Sequence, residues 1–178
     1  MMRSTRTVLA GALGGFVVAL ALAYATIGVG AVNDAAVQRL LDKAEIEDVL
    51  VRYTHALDTL DADKYASVFA EDAVFEQGAG QARRGRGEIR SIITGLQQRR
   101  AERAAAATED APESLMHHVM TNATLDIVDD REAHHYAYWM TIIGNTEDGF
   151  RVAAMGHYED VLMKRDGHWL IQNRKLLR

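Results

Sequence analysis

From Asp34 onward the apolar residues recur first at helical and then at alternating spacing. Ala35 to Leu60 predicts a helix. Val37, Leu40, Leu41, Ala44, Val49, Leu50, Tyr53 and Leu57 return every three or four positions, with Glu45, Glu47, Asp48 and Arg52 between them. Asp61 is placed to cap a second helix, Ala62 to Ala70, with Asp63 in its first turn. Ala73 to Gln77 predicts a short strand, Gly78 and Gly80 a turn, and Gln81 to Arg84 a return strand. Glu88 to about Ala107 predicts a third helix, with Ile89, Ile92, Ile93 and Leu96 on one side, and Thr108 to Ser114 a solvated loop. The last third reads as four strands: Leu115 to Val128, Ala133 to Gly144, Phe150 to Arg165 and His168 to Leu177. Asp129-Asp130-Arg131, Asn145 to Gly149 and Arg165-Asp166-Gly167 mark the turns. Three helices and a strand meander predict an α+β domain. A curved antiparallel sheet with helices on one face makes a cup, and cups hold ligands.

The segment before this domain has a different pattern. Val8 to Val32 carries no charge and is mostly Ala, Val, Leu and Gly, while Arg3 and Arg6 precede it and no acid occurs before Asp34. The run is long enough for a helix to cross the hydrocarbon core. The arginines would hold the N-terminus on the cytoplasmic side and send the rest of the chain across. Residues 1–33 are therefore expected to be a signal peptide or an uncleaved anchor, and the membrane a partner through this segment only. Val29-Gly30-Ala31 and Ala23-Tyr24-Ala25 offer small residues for cleavage. The domain, 34–178, is expected on the extracytoplasmic side.

Composition narrows the chemistry. The chain has 178 residues, 25 acidic and 20 basic, for a net charge of -5. An acidic domain is a poor partner for nucleic acid. The basic cluster Arg83-Arg84-Gly85-Arg86, with Arg90, reads as a solvated loop before a helix. With no Cys, thiol catalysis, disulfides, iron–sulfur clusters and thiolate zinc sites are excluded. His117-His118 and His134-His135 are neighbours on strands, so each pair faces both ways and no metal set is expected to converge. Counting from the turn near Asp130 sets His118 across from about Ile142.

Several stretches together resemble the SnoaL-like branch of the nuclear transport factor two-like superfamily. They are Glu47-Asp48-Val49-Leu50-Val51-Arg52-Tyr53, Ala56-Leu57-Asp58, Phe69-Ala70-Glu71-Asp72-Ala73-Val74-Phe75, His118-Val119-Met120-Thr121-Asn122, Gly156-His157-Tyr158-Glu159-Asp160 and Asp166-Gly167-His168-Trp169. The resemblance spans about Asp42 to Arg178. It implies a cone-shaped curved antiparallel sheet with three helices enclosing a pocket, preceded here by the N-terminal apolar helix. Members include scytalone dehydratase, bile-acid dehydratase, a dehydrochlorinase, ketosteroid isomerase and limonene-epoxide hydrolase, and others only bind or assemble. The match is best to the eliminating enzymes, which implies Tyr53, Asp58 and His118 as the catalytic set and no cofactor. The isomerase's base position falls at Gln77, and an amide cannot take a proton.

A neutral His can remove a carbon-bound proton, an Asp on its other ring nitrogen fixes the tautomer, and a Tyr hydroxyl can donate to a leaving oxygen. Each residue also has a structural alternative: a satisfied core histidine, a turn-capping Asp, a core aromatic. On an unbroken helix Asp58 sits about 140° from Tyr53, so both reach one pocket only if the helix ends near Leu57 or runs along the cavity wall. Phe75, Asn122, Tyr158 and Asn173 are candidate substrate-binding residues, with His157 and Asp160 as further lining candidates. Asn122-Ala123-Thr124 also fits the glycosylation sequon. The expected function is a dehydratase-like lyase on a small hydroxylated cyclic or aromatic substrate. The alternatives are a membrane-anchored binding or assembly module and a steroid-type isomerase. A homodimer or higher homo-oligomer is expected.

Overall fold

A computed structural model describes residues 34–78, 80–107 and 115–178. The expected leader or anchor and the expected loop Thr108 to Ser114 lie outside them. Among the described residues no helix is long and apolar enough to cross a membrane. Contacts divide the chain after Val37 and leave Gln38–Arg178 as one compact unit.

Helix α1 spans Asp34–Asp58 and buries Ile46, Val49, Leu50, Tyr53, Ala56 and Leu57. The apolar stripe predicted from sequence begins too early. Leu40 and Leu41 are exposed, and it is Asp42 that is buried. Asp42 accepts hydrogen bonds from the Trp169 indole at 3.0 Å, Lys164 at 2.5 Å and Gln38 at 3.1 Å. Burial pushes its carboxyl up, but these donors outweigh burial and hold it below the usual value. A carboxylate thus anchors the start of the helix where an apolar residue was expected.

Asp61 caps α2, Ala62–Ser67, by accepting the Lys64 amide at 3.0 Å. The helix is three residues shorter than its sequence suggests. Phe69 and Ala70 leave it because their buried side chains are needed in the sheet, where β1, Phe69–Gln77, lies beside the last strand. Strand β2, Ala82–Arg84, returns against β1 after a turn in which Gly78 and Gly80 take φ of 64° and 84°. Helix α3, Gly85–Ala106, starts three residues earlier than expected, with Glu88 accepting the Arg84 amide at 2.8 Å. Ile89 and Ile93 are fully buried beneath it. Two arginines of the cluster make tertiary contacts: Arg86 donates to the Phe69 carbonyl and pairs with Glu71, and Arg90 pairs with Asp63.

Strands β3 (Leu115–Ile127), β4 (Glu132–Asn145), β5 (Gly149–Arg165) and β6 (His168–Leu177) form the meander. The six-stranded sheet has the order β2-β1-β6-β5-β4-β3 and is curved and unclosed. One pairing departs from the antiparallel expectation: β1 runs parallel to β6. The helices cover one face.

A bulge in β3 decides which side chains that face receives. Near the turn, Ile127 pairs with Ala133 and Thr124 with Tyr136. Between Thr124 and Thr121 the register slips by one, with Asn122 in the left-handed region at φ 51°. His118 therefore pairs with Thr141, and it is His117 that pairs with the expected Ile142. Since strands alternate, the slip also reverses parity. Leu125 and Ile127 pack inward on one side of the bulge, and Met116 and Met120 on the other. His118 shares their parity.

Position 122 tolerates a left-handed backbone because Asn does so at little cost and a β-branched residue does not. Asn122→Gly is expected to change stability by less than about 0.5 kcal/mol, and Asn122→Val to lose about 1–2 kcal/mol. Urea unfolding midpoints of the purified variants check this. Equal midpoints for the two would contradict the role given to the bulge.

Candidate functional site

Helix α1 ends at Asp58, and Leu60, with φ of 54°, turns the chain toward α2. A carboxylate at a helix C-terminus meets the negative end of the dipole, so Asp58 needs donors from elsewhere. It finds them on β3, an edge strand with one side unpaired. Its Oδ1 accepts the His118 backbone amide at 2.9 Å and His118 Nδ1 at 2.7 Å. Its Oδ2 lies 3.7 Å from His117 Nδ1, so both neighbouring histidines reach the carboxylate although they alternate on the strand. With Nδ1 donating to Asp58, the ring lone pair is on Nε2.

His118 lines a cavity of about 290 Å³ between the helices and the sheet. Tyr53, Phe75 and Tyr158 line it too, as do Tyr65, Trp139 and Gln77. Asp58 stands behind His118 and is not part of the wall. The early end of α1 is what lets residues five apart serve one site. The Tyr65 hydroxyl lies 3.4 Å from that of Tyr53. Burial first, and then the neighbouring Tyr53, push the Tyr65 and Tyr158 hydroxyls well above the usual tyrosine value, so both stay protonated.

Beneath these tyrosines runs a charged row. Phe75, Arg174, Asp160, His135 and Leu125 are successive cross-strand partners on β1, β6, β5, β4 and β3. Arg174 is fully buried and binds Asp160 through two bonds of 2.7 Å, and His135 Nδ1 reaches the same carboxylate at 2.8 Å. Its guanidinium carbon lies 3.9 Å from the Tyr53 ring centre and 4.2 Å from that of Tyr158. Burial pushes the Asp160 carboxyl up, but the Arg174 charge and the bonds from Arg174 and His135 outweigh it and hold it low. The row supports the cavity floor.

Not every sequence candidate joins the site. Asn122 is exposed on the bulge. Asn173, paired with Val161 and Val74, lines a different groove of about 650 Å³ with His134, Tyr136, Glu159 and Lys175. His157 packs against Tyr136 rather than in the cavity, and Asp160 is consumed by Arg174. Sequence reasoning missed Tyr65 and Arg174. Arg174 carried little signal, since it stands between Asn173 and Lys175 in a polar stretch of the strand. Its partner was one residue off by simple counting from the hairpin turn, because β5 and β6 slip at Val161. Trp139 falls on the same alternation as the buried Ala133 and Ala137.

The SnoaL-like domain family matches residues 38–175. Solved structures share the fold. An NTF2-like protein with a cystatin-like fold from Novosphingobium aromaticivorans is 22% identical with a TM-score of 0.66, over 80-odd per cent of this chain (83%) and 90% of its own. A candidate scytalone dehydratase from the same organism is 21% identical with a TM-score of 0.62, over 79% of this chain and 85% of its own. A candidate aromatic ring hydroxylase, also from that organism, is 25% identical with a TM-score of 0.59, over 76% and 87%. Among curated proteins there is no match.

Removing one member of a buried ion pair leaves the other uncompensated. Asp160→Asn is expected to cost about 3–5 kcal/mol at neutral pH. Because the folded carboxyl is held low, its contribution is complete above about pH 4 and is lost as the pH falls through the folded value. Denaturant unfolding of both proteins from pH 7 to pH 3 checks this: the wild type should weaken more steeply with acid than Asp160→Asn.

Proposed function

The chain belongs to the SnoaL-like domain family, and from that premise we propose that it is a cofactor-free lyase performing dehydratase-type elimination on a small hydroxylated cyclic or aromatic substrate. The observation that carries this reading is His118 lining an aromatic cavity while Asp58 holds its Nδ1 at 2.7 Å. Nε2 takes the proton from carbon. Asp58 stabilises the imidazolium that forms. The Tyr53 hydroxyl hydrogen-bonds the departing oxygen. As the carbon–oxygen bond breaks and the double bond forms, the imidazolium supplies the proton that turns the leaving hydroxide into water. His118 is neutral again at the end of the cycle. The resemblance of the fold to a candidate scytalone dehydratase supports this chemistry.

Gln77 lines the cavity where a steroid-type isomerase would need a carboxylate, which favours elimination over isomerisation. The proposal keeps the domain outside the cytoplasm, delivered by residues 1–33, and acting as a homo-oligomer.

A panel of hydroxylated cyclic compounds, followed by the absorbance of the new double bond, tests the reading. With a substrate in hand, His118→Gln and Asp58→Asn are expected to lower kcat by about 10²–10⁴-fold, and Tyr53→Phe by about 10²-fold. Ligand binding without turnover in the wild type would replace the lyase by a binding module.

A further inference from the structure

The chain is acidic overall, yet the wall of the His118 cavity is not. Arg99 of α3 and Arg178, following β6, both line it, and no Asp or Glu among the described residues does. Four arginines of the fold are paired, Arg52 with Asp48, Arg86 with Glu71, Arg90 with Asp63 and Arg174 with Asp160, but none of the four lines this cavity. Arg99 makes no ion pair with a described residue. Arg178 lies over the Trp139 ring at 5.9 Å. Trp139 adds a second signal. It is 3% exposed, lines the same cavity, and its indole N–H has no hydrogen-bond partner among the described residues. A buried donor without an acceptor is costly, and an acceptor on a bound molecule relieves that cost. The Asp58 carboxylate stands behind His118 and does not line this cavity.

We infer that this cavity selects an anionic ligand, a small aromatic or cyclic molecule bearing a carboxylate that Arg99 and Arg178 receive. The arginine fork suits a carboxylate, the aromatic wall takes the apolar body, and a volume of about 290 Å³ limits that body to one or two rings. The inference rests on the reading of this cavity as the substrate site and narrows it to hydroxylated ring acids. Arg99 and Arg178 are specificity residues in it, and His118 remains the base.

The test is calorimetric titration of the full chain with 2-naphthoate and with 2-naphthamide, which share a ring system and differ in charge. Naphthoate is expected to bind at least about tenfold more tightly, the worth of one charge-assisted contact, and less tightly as salt rises. Arg99→Gln/Arg178→Gln should lose that preference while binding the amide as the wild type does, which also shows that the cavity is intact. His118→Gln should keep the preference, so a failure of the elimination chemistry would leave this result untouched. Equal affinity for the two probes, no measurable naphthoate binding, or a preference that survives in the double variant would overturn the inference. Turnover of neutral substrates together with equal probe affinities would overturn it and leave the lyase standing.

Discussion

The buried guanidinium of Arg174 is the constraint around which the site is arranged. A fully desolvated cation is tolerable only with its charge matched and its faces covered. Asp160 meets the charge through two parallel bonds, and the rings of Tyr53 and Tyr158 cover the faces. Tyr53 comes from α1 and Tyr158 from β5, so the cation ties helix to sheet at the floor of the cavity. Both tyrosines then stand as parts of the cavity wall, in positions the ion pair below them fixes. His135 extends the row to the next strand by binding the same carboxylate.

A second carboxylate works at the rim, in a different way. Asp58 joins the end of a helix to an edge strand, and the same oxygen accepts the backbone amide and the side chain of His118. The ring is therefore held against both rotation and tautomer exchange. The bulge at Asn122 complements it. Without the one-residue slip, the odd-numbered residues of β3 would face inward along its whole length and His118 would face out. Orientation of the imidazole thus depends on a left-handed residue that never touches the cavity.

Much of the fold was legible from spacing. The helices, the four long strands and the turns between strands followed from periodicity and from Gly and Asp in the right places. What was misread shares one cause. Leu40 and Leu41 look like core and are exposed, while Asp42 looks like surface and is buried by Trp169 and Lys164 from β6 and β5. Phe69 and Ala70 suit a helix and are claimed by the sheet. The parallel pairing of β1 with β6 joins residues a hundred apart, and no local pattern encodes it. In each case a distant partner overrode a local preference.

The sequence by itself determined the α+β class and the helix and strand order and, through family resemblance, pointed to Tyr53, Asp58 and His118 as candidates. Composition, periodicity and motif order are local properties and survive reading one residue at a time. Only the tertiary structure decided which side chains share a wall. Two register slips, at Asn122 and at Val161, set the face of His118 and the partner of Arg174. Asn173 and Asn122 were excluded from the cavity by the same geometry. A strand's face depends on counting by twos from a fixed point. A single bulge reverses that count, and its energy comes from contacts across the sheet rather than from the residues that form it.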